Sequence, residues 1–409
     1  MASEVALRLD PDDSSFRADP FPVFARLRSE DPVHWSDVVG GWVLTRYADV
    51  LAILRDRRCS ADRITPFFDE LPAERRDQMR ALGQLLRKWA VFSDPPQHGR
   101  LRSLFNTAFT SRAIDNLRAD IESTVEELIA PAQARGDIEL MSEFAYPLPA
   151  LVICSMIGLP HAYLEKIKSW STAIEAFLGL ARKPAEAYDA ALGNVTDMAN
   201  HLRAVIDDHR DIPRENILSR LIEASADGER LSQDELVATC MMLVFAAHTT
   251  TTHLIGNGLL ALLRQPEAMT MLRADTSPAS VARAVEELLR YDGPVQVARR
   301  VAVETIELAG RRIRPGDMVF PMLNAANRDP AQFAEPDRLD LARSDNRHIA
   351  FGFGPHFCAG APLARMEAQI ALTAVVTKFR DLQIAGPIQW IDSFGFRGLK
   401  SFRLDVHVH

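Results

Sequence analysis

Along most of this chain, apolar positions recur at helical rather than strand spacing. Residues 20–29 and 47–55 carry a helical stripe. Between them Val33-His34-Trp35, Gly40-Gly41 and Trp42-Val43-Leu44-Thr45 read as a hairpin. Residues 61–94 show no sustained period and predict loops with short helices. An apolar stripe over 112–134 stops at Gly136. Further helices are predicted over 141–157, 185–208 and 216–226, punctuated by Gly158-Leu159-Pro160 and Asp211-Ile212-Pro213. After a helix at 278–291, residues 301–319 predict short strands with a turn at Arg314-Pro315-Gly316-Asp317. A coil rich in Asn, Asp and Pro then leads to a glycine-rich loop around Cys358, a helix at 362–379 and an alternating tail at 402–408. The sum is mainly α with minor β. No linker or internal repeat divides the chain, so 1–409 is read as one large helical unit with small β-sheets.

The most informative segment is a predicted helix over 232–264. It opens on a capping box, Ser232 with Glu235, and stops before Pro266. At 1.5 Å per residue it would run roughly 50 Å. Its centre is Ala246-Ala247-His248-Thr249-Thr250-Thr251-Thr252-His253. Threonine is a modest helix former whose hydroxyl bonds back to a carbonyl one turn earlier. A polar run at the middle of a buried helix implies a local opening that serves a site.

Composition narrows the class. With 47% hydrophobic and 25% charged residues the chain is ordinary for a globular protein, and a net charge of −8 argues against broad nucleic-acid binding. The start, MASEVALRLDPDDSS, lacks the basic-then-apolar pattern of a signal peptide, and the longest strongly apolar run, 236–247, is too short to span a bilayer. A cytoplasmic protein without membrane contact is expected. The four cysteines, Cys59, Cys154, Cys240 and Cys358, form no CxxC pair, so a structural zinc site is not expected.

Chemistry concentrates at Phe351-Gly352-Phe353-Gly354-Pro355-His356-Phe357-Cys358-Ala359-Gly360. Glycines let the backbone turn tightly beside a bulky planar group. Free N–H groups and the N-terminus of the following helix favour an anionic sulfur. This FGxGxHxCxG pattern resembles the haem-binding signature of the cytochrome P450 family. The resemblance implies a P450 fold, haem b as cofactor and Cys358 as the axial thiolate, which pushes electron density onto iron and favours O–O cleavage. Phe351, Gly352 and Gly360 are implied haem contacts.

Further matches span nearly the whole chain. Glu287-Leu288-Leu289-Arg290 looks like the family's ExxR pair, on one helix face. Arg338, in Glu335-Pro336-Asp337-Arg338, resembles the arginine that completes a buried triad supporting the cysteine loop. Asp94-Pro95-Pro96-Gln97-His98-Gly99-Arg100-Leu101-Arg102 resembles a stretch whose histidine and arginine hold a haem propionate. His356 and Arg300 occupy other propionate positions, with Arg299 competing for the latter. Phe396-Arg397-Gly398-Leu399 is similar to the family's C-terminal RGL segment.

The long helix resembles the family's distal, oxygen-activating helix. Ala246 and Ala247 take the small-residue pair, and Thr250 matches the threonine that hydrogen-bonds bound oxygen or water. The acid of the pattern is replaced by Thr249. That leaves the proton source open, with His248 or His253 as candidates because histidine titrates near neutrality. The resemblance implies a monooxygenase that oxidises a hydrophobic small molecule in secondary metabolism or catabolism, using O2 and a ferredoxin and its reductase as donors. Two alternatives are a peroxide-using or oxidative-coupling relative, motivated by Thr249, and a non-catalytic haem-binding or sensor protein. Expected substrate contacts are the weakly patterned loop before Phe92 and Phe92 itself, residues 177–180 including Phe177, Val244 and Ala247 of the long helix, Val295 and Val297 within 295–298, and the tail near Phe394. Arg100, Arg112 and Arg365 are candidates for the partner-docking face, and a monomer is expected.

Overall fold

The computed structural model describes residues 9–179, 185–226 and 228–408. Leu180, one of the expected substrate contacts, and the first eight residues of the N-terminal segment lie outside these.

Helices dominate, and seven position the site: α1 Gln97–Ala108, α2 Pro147–Ile157, α3 Leu164–Gly179, α4 Ala185–Asp211, α5 Gln233–Arg264, α6 Pro278–Asp292 and α7 Ala361–Lys378. The capping box that opens α5 is present: Glu235 N donates to Ser232 Oγ at 3.3 Å and Ser232 N to Glu235 Oε2 at 2.9 Å. Most of α5 is buried, and it packs against α2, α3, α4, α6 and α7. A helix apolar all round belongs at the centre of a large core, and α5 lies within the largest cluster of buried side chains. Among the described residues, no helix is long and apolar enough to cross a membrane.

The expected hairpin is β1 Val33–Ser36 with β2 Gly41–Leu44. With β3 Cys59–Ser60, β4 Arg300–Ala302 and β5 Met318–Pro321 it forms a sheet ordered β1-β2-β5-β4-β3, in which only β2 and β5 run parallel. Gly41 is required there, since a Cβ would enter the Met318 carbonyl and the Phe320 ring of β5. The tail strand Arg403–Val408 pairs with Phe379–Ile384 and Asp137–Glu139.

Local departures have local causes. The predicted helix over 141–157 is broken: Met141–Ala145 is a π-helical turn closed by Tyr146 N to Met141 O, 2.8 Å. Pro147 and Pro149 have no N–H to continue the α-helical ladder through this point. The helix predicted to run to residue 226 ends at Glu223. Ser225–Ala226 instead pairs with Glu229–Arg230 around Gly228, whose φ is +81°. Residues 61–94 hold three short α-helices and a 3-10 turn at Ala90–Phe92, in keeping with their weak pattern.

Candidate active site around Cys358

The cysteine loop is shaped by two left-handed glycines, Gly352 (φ +72°) and Gly354 (φ +74°), a region costly for other residues. They let Cys358 N reach Phe351 O at 3.0 Å and Phe357 N reach Gly354 O at 3.0 Å, so the chain doubles back before entering α7. Burial pushes the Cys358 thiol up. N–H groups of Gly360 and Ala361, with Arg102 and Arg365, oppose it by favouring the thiolate.

Two braces hold this loop. In the first, Glu287 and Arg290 are both fully buried and joined by a two-pronged bond, 2.8 Å each. Arg290 Nη1 donates to Asn327 O (2.9 Å), and the Asn327 side chain accepts Ile349 N (2.8 Å) at the start of the loop. The third member is Arg343, not Arg338. Arg343 Nε donates to Glu287 at 3.1 Å, while the Arg338 side chain is 64% exposed and reaches only Glu335. Arg338 contributes its main-chain carbonyl, which accepts Arg290 Nη2 at 3.1 Å. A β-like φ/ψ pattern cannot be read through this coil from sequence, and the chain turns Arg338 outward, five residues before the arginine that points in. In the second brace, burial alone would raise the Glu286 carboxyl, but bonds from Arg365 (2.6 Å) and His348 (3.0 Å) outweigh it and hold it down at about 2.

Cys358 lies on the wall of one large cavity, together with Phe351, Gly352 and Gly360. From α5 the cavity receives Leu243, Ala246, Ala247, Thr250, Thr251 and Leu254, a single face at helical spacing. Thr250 Oγ1 donates to Ala246 O at 2.8 Å, which keeps its lone pairs turned to the cavity side. The other face of the helix is packed. Thr249 is buried away from the cavity, and so is Val244. His248 is also off the cavity: its Nε2 lies 3.2 Å from Tyr146 O, and burial pushes its pKa down to about 4. His253 Nε2 is bonded to Glu175 at 2.9 Å, and Gly398 of the tail presses on its ring so closely that a Cβ would overlap it. The helix period therefore removes Thr249, His248, His253 and Val244 from the set of groups facing the site.

The expected cationic rim is assembled. His98 and Arg102 come from α1, His356 from the loop and Arg300 from β4, all on the cavity. The two histidine rings lie 4.1 Å apart. Burial, then Arg300, His98 and Arg102, push His356 down to about 3, and burial lowers the Arg102 and Arg300 guanidinium pKa values. Neither arginine has a carboxylate partner among the described residues. Arg299 spends both terminal nitrogens on main-chain carbonyls, Leu178 O (3.0 Å) and Gly179 O (3.2 Å), whereas Arg300 gives only Nη1 to Arg299 O (2.9 Å) and keeps its other donors for a ligand. Cations held without a counter-charge in a partly desolvated wall are costly, and this donor set would fit a planar group bearing two carboxylates beside a thiolate.

Phe92, Val295 and Val297 line the cavity as expected, but Phe177 and Phe394 do not. Phe177 packs on Phe67 and Tyr188 and its neighbour Leu178 takes the wall. Phe394 packs on Phe320, and Gly395 and Phe396 follow it to the wall. Both misses are one-residue errors of facing at the ends of segments, where no period exists to set the phase. Of the three basic residues assigned to partner docking, Arg100 pairs with Glu235 and Arg365 with Glu286, which leaves Arg112 exposed.

Among the cavity residues that the sequence did not single out, three bear on the chemistry. Glu367 of α7 is 1% exposed, its Oε2 has no partner, and burial pushes its carboxyl up to about 8. An acid on the apolar stripe of 362–379 was the available signal. Phe245 escaped because it continues an unbroken apolar run, and Arg63 was not singled out within the expected loop before Phe92 because that segment has no pattern.

The comparisons with known proteins agree with this architecture. The family model "Cytochrome P450" matches residues 73–384. The polyketide biosynthesis cytochrome P450 PksS of Bacillus subtilis is 36% identical over 98% of this chain and 99% of its own length. The cytochrome P450 monooxygenase PikC of Streptomyces venezuelae is 37% identical over 98% of this chain and 94% of its own. The crystal structure of P450BioI in complex with an acyl carrier protein bearing hexadec-9Z-enoic acid superposes with a TM-score of 0.89 at 32% identity, covering 96% of this chain and all of that one. Sequence, fold and relatives thus place this chain in the cytochrome P450 family of haem-thiolate monooxygenases.

Proposed function

We propose that this protein oxidises a hydrophobic small molecule of secondary metabolism at a haem b held by Cys358, with electrons from a ferredoxin-type partner. The observation that carries the reading is the shared cavity: Cys358, the rim of Arg102, Arg300, His98 and His356, in which neither arginine has a carboxylate partner among the described residues, and the small-residue face of α5 all open onto it. Apolar side chains supply most of the remaining wall, which suits an apolar substrate. PksS and the epothilone C/D epoxidase of Sorangium cellulosum, 36% identical over 90% of this chain, are named for such metabolism.

Each residue has a defined task. Cys358 binds the iron, and the glycine turn and α7 N-terminus favour its anionic form. Arg102 and Arg300 neutralise the propionates, with His98 and His356 as neutral hydrogen-bonding partners. Haem bound there supplies reductive activation of O2. Ala246 and Ala247 leave room beside it, and Thr250, whose proton is engaged by Ala246 O, accepts from water in the cavity. The acid missing at Thr249 is supplied from α7, where the protonated Glu367 holds a proton on the cavity wall. A peroxide-using or coupling chemistry is the second reading, favoured by Thr249.

The reduced carbon-monoxide spectrum tests the central assignment. Wild type is expected to show the red-shifted thiolate band and Cys358→His to lose it; a wild-type spectrum without that band refutes the reading. Thr250→Ala is expected to retain the band but to form about tenfold less product per reducing equivalent, with the balance recovered as peroxide. Unchanged coupling would remove Thr250 from the mechanism.

A further inference from the structure

The cavity wall carries a cation that the cofactor does not require. Arg63 precedes the short helix Ile64–Asp69 and lines the cavity with Arg102, Arg299 and Arg300. Arg102 and Arg300 suffice for two propionates, and Arg299 spends its donors on two main-chain carbonyls. Arg63 does neither. No hydrogen bond or carboxylate partner engages its guanidinium among the described residues, and the charges that act on it are those of Arg299 and Arg300. The nearby acids are occupied: Asp62 accepts Ile64 N (3.1 Å) and Thr65 N (2.9 Å), and Asp94 accepts Ser60 Oγ and Ala61 N.

What Arg63 does touch is apolar. Its guanidinium carbon stands 4.6 Å from the Phe92 ring centroid. Phe92 stacks on Trp89, Trp89 meets Phe245, and Phe245 meets Phe396, each pair 5.8 Å apart. A row of four rings thus crosses the cavity wall with one unpaired guanidinium at its end. A guanidinium has five N–H donors in a fork that matches a carboxylate, and a half-buried one on an apolar wall without a counter-charge is costly.

We propose that Arg63 anchors an anionic head group of the substrate, so that the cavity takes an amphiphilic acid, an apolar body bearing one carboxylate, rather than a neutral hydrophobe. The body lies along the aromatic row while the carboxylate is held at Arg63, which fixes how far from the acid the oxidised carbon falls. This assignment rests on the haem-thiolate reading above.

The test uses the full-length, haem-loaded protein. Saturated carboxylic acids of eight to sixteen carbons, each matched to its methyl ester, are titrated by Soret shift and by equilibrium dialysis. Wild type is expected to bind the best acid at least about tenfold more tightly than its ester. Arg63→Gln should abolish that preference and Arg63→Lys should restore part of it, with haem content and the reduced carbon-monoxide band unchanged in both. Equal binding of acid and ester by wild type, or no binding of any member, overturns the proposal. Loss of haem in Arg63→Gln with the acid preference intact also overturns it, since Arg63 would then serve a propionate. A missing thiolate band in wild type fails the underlying reading instead, and is seen separately.

Discussion

Replacing Arg343 by alanine is expected to destabilise the protein by about 3–5 kcal/mol, whereas Arg338→Ala is expected to change stability by less than about 0.5 kcal/mol. The contrast follows from where the two side chains end. Arg343 is 9% exposed and meets Glu287, a carboxylate that is itself fully buried and also accepts Asp340 N (2.9 Å) and Asn346 Nδ2 (3.2 Å). Removing the guanidinium leaves part of a buried negative charge unmatched, and the cost is the desolvation of that charge rather than the loss of one contact. Arg338 is largely in solvent, where ion pairs contribute little. Its useful group is the main-chain carbonyl, which alanine retains. Because Arg290 reaches the cysteine loop through Asn327 and Ile349, Arg343→Ala should also lower haem retention. Urea unfolding of the two variants, with haem content measured beside it, decides the matter; equal destabilisation by both would mean that the brace is drawn wrongly.

The second large effect is a pH dependence at Glu367. Its carboxyl is raised to about 8 by burial, from an ordinary value near 4.5. Between these values the folded protein keeps a proton that the unfolded chain has released. Stability contributed by this group is therefore full below about pH 4.5 and is lost as pH rises through about 8. A displacement of this size corresponds to a loss on the order of 5 kcal/mol. Glu367→Gln removes the titration while keeping the shape. The variant is expected to match wild type near pH 4.5 and to exceed it in urea midpoint by a growing margin towards pH 9. Parallel curves for the two proteins across that range would show that the carboxyl is not held protonated. The same group carries the proposed proton, so product yield in wild type should decline above pH 8.

Much of this was legible along the chain because it depends on local order. The capping box, the long buried α5, the hairpin and the cysteine turn are all set by residues within a few positions of one another, and each formed as its pattern requires. The glycine-flanked Cys358 and the His98/Arg102 pair, one helical turn apart, were legible for the same reason, and they line one cavity. The α5 phase was legible in principle too, since Ala246, Ala247 and Thr250 share a face. The 100° step per residue turns His248 and Thr249 away from that face, whatever their polarity.

Contacts between segments distant in the chain were decided only in three dimensions. Which coil arginine reaches Glu287 depends on how residues 335–343 turn, and nothing periodic sets that. The facing of Phe177 and Phe394 depends on the junction at which Phe394 N and Gly395 N both bond Gly179 O. Glu367 and Arg63 acquire their character from the apolar walls around them. A side chain's charge is written in the sequence, but its solvation is a property of everything packed against it, and solvation is what makes one of them an acid near pH 8 and leaves the other a cation without a partner.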